Sequence, residues 1–150
     1  MKKLFVYLSL VVCLGLHAVG QADVVLKDLK GDPVSLESLS GKWVFINYWA
    51  SWCGPCVDEI AELNKFYHVN QESVEVFAVN FDAPSVIQQQ HLVRQFDIQY
   101  PSLNPKSLSA LHLEAISVVP VTFVFDPEGH LHTTLYGGQT RRSLQIAMKA

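Results

Sequence analysis

The chain is 150 residues long, 49 % hydrophobic and 17 % charged, with a net charge of −3. That length and apolar content suit one globular domain with a full core and leave little room for a second. The mild acidity excludes a nucleic-acid binder, which would carry a basic face.

Met1-Lys2-Lys3, the apolar run Leu4 to Leu16 and the small residues after it have the layout of a secretory signal. The run falls short of the ~20 residues that a membrane-spanning helix needs. Cleavage fits after Gly20 or after Ala22, with an uncleaved N-terminal anchor as the alternative, so residues 1–22 are set apart and 23–150 form the domain. Cys13 lies in this segment behind Val12, too bulky for the small residue that precedes a lipidated cysteine. Cleavage removes Lys2, Lys3 and Cys13, leaving a more acidic chain whose only cysteines are Cys53 and Cys56. Export with a single thiol pair points to the periplasm, where disulfides form and must be managed.

Asp23 to Ser40 alternates around a Gly31-Asp32-Pro33 turn and predicts a small β-hairpin, with one glycine-ended helical turn at 36–41. Val44 to Trp49 is a buried strand, rich in β-branched and aromatic side chains, that feeds a helix across Ala50-Ser51-Trp52-Cys53-Gly54-Pro55-Cys56. On that helix Cys56, Ile60, Leu63 and Tyr67 share a face by spacing. Glu59 lies close to the same face, three residues from Cys56, where packing alone would not place an acid.

Val74 to Phe81 is the second strong strand. Pro84 opens a helical segment through Phe96 with Val86, Val93 and Phe96 as a thin apolar stripe. Tyr100 to Leu103 predicts a short strand and Pro105 to Leu113 a short helix. Val118 to Phe125 is a strand with a proline near its start, Asp126 to Gly129 a turn, and Leu131 to Tyr136 the antiparallel return. Thr140 caps a final helix. This order predicts an α/β fold: a mixed sheet flanked by helices on both faces, with an N-terminal hairpin and a helical insertion.

The two cysteines sit where a helix begins. Its first amide N–H groups are unpaired and its dipole is positive there, so a thiolate at Cys53 is stabilised and nucleophilic near neutral pH. Cys56, a turn on, is near enough to close a disulfide, while Gly54 and Pro55 suit the tight turn and the first helical positions. The pair reads as a reversible two-electron switch.

Three other uses of Cys-x-x-Cys fit the sequence less well. A zinc site needs a second ligand pair, which the sequence lacks. A purely structural disulfide closing four residues removes little chain entropy. Two thiolates holding Cu(I), as in a metallochaperone, would suit soft-ligand chemistry, but no Met-rich or His-rich partner lies near. No metal is expected.

With Trp52-Cys53-Gly54-Pro55-Cys56 at a strand-to-helix junction and Val119-Pro120 opening a later strand, the sequence resembles the thioredoxin superfamily. Trp49-Ala50-Ser51-Trp52-Cys53, Glu59, the hairpin and the insertion at 84–96 are more similar to its exported TlpA/ResA-like branch, which includes cytochrome c maturation reductases. The resemblance covers nearly all of residues 23–150. It implies a cis Val119-Pro120 peptide beside the dithiol, with the Val119 backbone pairing to substrate, Trp52 as an exposed contact surface and Trp49 as packing beneath it. A cis bond is inexpensive only before proline. Thioredoxin keeps a buried aspartate under its dithiol; the matching position here is Asn47, and Glu59 is the natural replacement as proton acceptor for Cys56. Ala61 stands where both branches commonly carry a helix-bending proline, so an unkinked helix is expected.

The reading is an exported thiol-disulfide oxidoreductase acting as a reductant of a disulfide-bearing client protein. Catalysis is expected from Cys53, Cys56 and Glu59, with substrate held by Trp52, Val119 and Pro120. An upstream thiol reductant, membrane-bound in one version, restores the dithiol. A monomer with no cofactor beyond the Cys53-Cys56 pair is expected, and a disulfide oxidase or isomerase using the same parts is the alternative. His130 and His132 share a strand face by spacing but read as exposed hairpin histidines. Arg141 and Arg142 fall at the start of the last helix, where the dipole disfavours cations, and receive no role.

Overall fold

A computed structural model describes residues 24–149, so the expected secretory segment at 1–22 and Cys13 lie outside the described residues. The stretches flanking Gly31 pair antiparallel as β1 (Val25–Lys27) and β2 (Pro33–Ser35). Gly31 has a φ of +92°, which only glycine adopts without strain. A 3-10 turn at Glu37–Leu39 leads into β3 (Trp43–Trp49), then α1 (Gly54–Asn70) and β4 (Val74–Asn80). Helix α2 (Val86–Gln95), a 3-10 segment at Pro105–Leu111, β5 (Val121–Phe125), β6 (Leu131–Tyr136) and α3 (Arg141–Ala147) complete the order.

The main sheet runs β4-β3-β5-β6, with β3 and β4 parallel and the other neighbours antiparallel. Side chains alternate along β3, so Phe45 and Trp49 enter one core with Cys56, Ile60, Leu63 and Phe66 of α1 and Leu144 and Ala147 of α3. Val44 and Ile46 enter the other with Leu26, Phe77, Leu108 and Phe123. One face is thus covered by α1 and α3, and the other by the hairpin and the Pro105–Leu111 segment. Burial on both faces explains why β3 reads as an apolar run rather than an alternating one.

Four features differ from expectation. The 100–103 stretch makes isolated bridges instead of a strand: Ala78 N–H donates to Pro101 O at 2.8 Å and Leu29 N–H to Ser102 O at 3.0 Å. Pro101 has no N–H to extend the ladder. In α2, Val86 is exposed while Gln89 is buried and donates to Pro84 O at 2.7 Å, so the apolar stripe starts a turn late, with Leu92, Val93 and Phe96 on the core. Ser85, reciprocally bonded with Gln88, caps this helix. Strand β5 begins only at Val121, after the Val119-Pro120 peptide, which is cis. A register shift beside Phe125, which pairs with Leu131 while Val124 pairs with Thr133, leaves His132 as the bulged residue, so His130 and His132 do not form a simple shared face.

Candidate active site

The site forms where β3 ends and α1 begins. Cys53 caps α1 with extended dihedrals, its carbonyl accepts the first helical bond from Val57 N–H at 3.1 Å, and its Sγ accepts from Cys56 N–H at 3.3 Å. This is the predicted arrangement of an unpaired helix-start amide aimed at the first sulfur. The two sulfurs are joined in a disulfide with a Cα–Cα separation of 5.3 Å. Cys53 keeps 5 % of its surface open and Cys56 none, so the first sulfur is the one a second molecule can reach.

The cis-proline loop lies against the dithiol. Cys53 Sγ is 3.7 Å from the carbonyl oxygen of Val119, and Pro120 is buried with its carbonyl accepting from Gly137 N–H at 2.9 Å. Trp52 is 65 % exposed, yet it is not loose: its indole N–H donates to Asp82 Oδ2 at 2.8 Å and its ring stands edge-on to Phe81. Trp49 is buried and packs edge-on to Phe96, the packing role expected of it.

Beneath the disulfide is a polar group in an otherwise apolar core. Glu59, one turn along α1 from Cys56, is 3 % exposed. Its Oε1 accepts from Asn47 Nδ2 at 2.7 Å and its Oε2 from the backbone N–H of Gln139 at 2.7 Å. Asn47 also donates to Thr122 Oγ1 at 3.0 Å, across the antiparallel register that sets it opposite Thr122. Burial pushes the Glu59 carboxyl up to about 7, against the pull of these two hydrogen bonds. A carboxyl so placed exchanges its proton near neutral pH, the condition for a general base. Burial and the nearby Glu59 charge also raise the Tyr100 phenol, which stays protonated.

Cys53, Cys56, Val119 and Pro120 therefore meet at one disulfide, with Glu59 a turn along α1 from Cys56 and Trp52 on the adjoining surface. Three further participants were not predicted. Thr122 had a readable signal, a hydroxyl on the inward side of a buried strand; Asp82 and Gln139 had none, since their contacts join segments 30 and 80 positions apart. Arg141 lies on Glu62 of α1, with its N–H donating to Oε2 at 3.0 Å and its Nε at 3.8 Å. Among the described residues no group of three or more His, Cys, Asp or Glu side chains is arranged to hold a metal ion.

The profile of the AhpC/TSA family matches residues 20–134. The chain is similar to the thiol-disulfide oxidoreductase ResA of Bacillus cereus, 30 % identical over 122 residues that make up 81 % of this chain and 70 % of that protein. ResA of Geobacillus kaustophilus is 30 % identical over 131 residues, 85 % of this chain and 75 % of that one. Among solved structures, a DsbF homologue from Corynebacterium diphtheriae superposes with a TM-score of 0.70 at 27 % identity, covering 83 % of this chain and 82 % of that one. StoA from Bacillus subtilis shares the fold with a TM-score of 0.66 at 22 % identity, covering 84 % and 96 %.

Proposed function

From the premise that the chain belongs to the AhpC/TSA family of thioredoxin-like proteins and is a thiol-disulfide oxidoreductase, we propose that it works outside the cytoplasm as a reductant of protein disulfides. In the dithiol form, the Cys53 thiolate attacks one sulfur of a client disulfide. A mixed disulfide forms and the first client sulfur leaves as a thiolate. Cys56 then gives its proton to the Glu59 carboxylate and attacks Cys53 Sγ, which closes the Cys53-Cys56 disulfide and releases the second client sulfur. Two electrons have passed from the dithiol to the client, and an upstream thiol reductant returns them. The dithiol carries both electrons, so this reading calls for no further cofactor.

The observation that carries the reading is the disulfide at the α1 start, with Val119 O 3.7 Å from Cys53 Sγ and Glu59 buried below. An extended client segment laid along Val119 and Pro120 and against Trp52 brings its disulfide to Cys53. The direction rests on the resemblance to the ResA-like reductase branch and on the Gly54-Pro55 pair between the two cysteines. The secretory layout of the N-terminus supports a periplasmic site of action, with the chain either released or anchored by residues 1–22. Among the described residues no helix is long and apolar enough to cross a membrane. The domain is read as acting as a monomer.

Equilibration with a series of glutathione buffers tests the direction. The reductant reading expects a potential well below about −180 mV, and one above that value would reassign the protein as an oxidase or isomerase.

A further inference from the structure

Gln139 is a buried polar residue that lies two positions ahead of α3 and outside every helix and strand. Its backbone N–H points inward and donates to Glu59 Oε2 at 2.7 Å. Its side chain turns back on its own segment, with Nε2 donating to Gly137 O at 2.8 Å and to Tyr136 O at 3.4 Å. The segment so gathered is itself tied to the site. Gly137 N–H donates to Pro120 O at 2.9 Å, and a side-chain carbon at Gly138 would come within 3.4 Å of Pro55 O. Gly137 has a φ of +80°, a turn that the carboxamide of Gln139 closes from inside.

We infer that Gln139 is a positioning residue for Glu59: its carboxamide holds the 136–139 turn in the one conformation that delivers its backbone N–H to the proton-accepting carboxylate. The side chain never touches Glu59. It acts through the backbone, in a segment that touches three parts of the site: Glu59, the cis-proline loop through Gly137, and the Cys-Gly-Pro-Cys turn through Gly138. The inference rests on the reading of Glu59 as the general base.

The sign of the effect follows from the contact. A backbone N–H aimed at a carboxylate stabilises its ionised form, so loosening the turn raises the proton affinity of Glu59. The other groups that interact with Glu59 are the neutral Asn47 of β3, itself tied to Thr122 of β5, and Tyr100, whose phenol feels the Glu59 charge; Cys56 lies a turn back on α1, and Arg141, at the start of α3, pairs with Glu62. None of these contacts runs through the Gln139 side chain.

The test is the pH–rate profile of disulfide reduction, with insulin as the probe substrate, for the full exported chain. Gln139→Ala is expected to move the inflection near neutral pH up by about half to one unit, to slow turnover at pH 7 by about two- to fivefold, and to converge with wild type above pH 9. Gln139→Met, which keeps the volume without the donors, is expected to do the same and serves if the alanine variant folds poorly. In a Glu59→Gln background, either change at 139 is expected to leave the shape of the profile unaltered. A uniform loss at every pH with the inflection in place overturns the inference, as does a shift that persists without Glu59. Glu59→Gln alone tests the underlying reading: if it keeps the wild-type inflection, the general-base assignment fails whatever Gln139 does.

Discussion

Asn47 and Glu59 face each other across 2.7 Å in the core between β3 and α1, and the amide of one is a donor to the carboxylate of the other. The position under the dithiol that is an aspartate in thioredoxin has here become the support for a carboxylate supplied from the helix. An aspartate returned to position 47 would set two carboxyl groups in one buried site, where like charges cannot both ionise and one affinity rises steeply. Asn47→Asp is therefore expected to push the inflection of the pH–rate profile well above 7 and to slow turnover at neutral pH about tenfold or more, with recovery at alkaline pH. The pH–rate profile checks this.

Glu59 also makes folding depend on pH. Its carboxyl titrates at about 7 when folded, against an ordinary value of 4.5. Between those values the folded chain holds a proton that the unfolded chain has released, so this contribution to stability falls as pH rises from 4.5 to 7 and levels off above. The full effect is on the order of 3 kcal/mol. Urea denaturation of wild type and Glu59→Gln across pH 4.5 to 8.5 should show a difference in stability that changes in the variant's favour with rising pH. Parallel curves would show that the carboxyl is not held as described.

What the sequence disclosed and what it hid divide along sequence distance. Strand β3, the cysteine pair at the α1 start and Glu59 one turn on are local patterns, so periodicity and helix-end physics reach them. The cis Val119-Pro120 bond came from the resemblance and is present. The hidden half of the site lies in contacts between distant segments. The Gln139 contact to Glu59 is made by a backbone N–H, which residue identity does not advertise, and the pairing of Asn47 with Thr122 needs the β3–β5 register. The side chains of the 100–103 stretch fit a strand, but Pro101 withholds the hydrogen bond that would extend it. Spacing alone puts Val86 on the α2 stripe, whereas the helix turns Gln89 inward to reach Pro84 O.

The hydrogen bond from Trp52 to Asp82 predicts a binding defect separable from chemistry. The turn that presents Asp82 is well fixed: Asp82 N–H donates to Asn80 Oδ1 at 3.0 Å, and Ala83 takes a φ of +45°. Asp82→Ala should free the indole, raise KM for a protein disulfide about two- to fivefold and leave kcat within about twofold, because an exposed bond of this kind contributes on the order of 1 kcal/mol. Tryptophan emission and its quenching should change in parallel. Equal loss in kcat would place Asp82 in the chemical step instead.

Cys56 is closed to solvent, so its part comes after Cys53 has engaged a client. Cys56→Ser should accumulate a mixed disulfide on Cys53 that is stable in non-reducing gels, and Cys53→Ser should accumulate none. Mass spectrometry of the trapped species identifies the client directly.

Alkylation of the reduced protein by iodoacetamide as a function of pH, with the modified sulfur located by mass spectrometry, addresses the central claim most directly. The helix-start amides and the open side of Cys53 predict that this sulfur reacts first, with an inflection below the ~8.5 of a free cysteine, while Cys56 stays protected until the fold is lost. Reaction at Cys56 first, or an inflection at Cys53 no lower than that of free cysteine, would contradict the account.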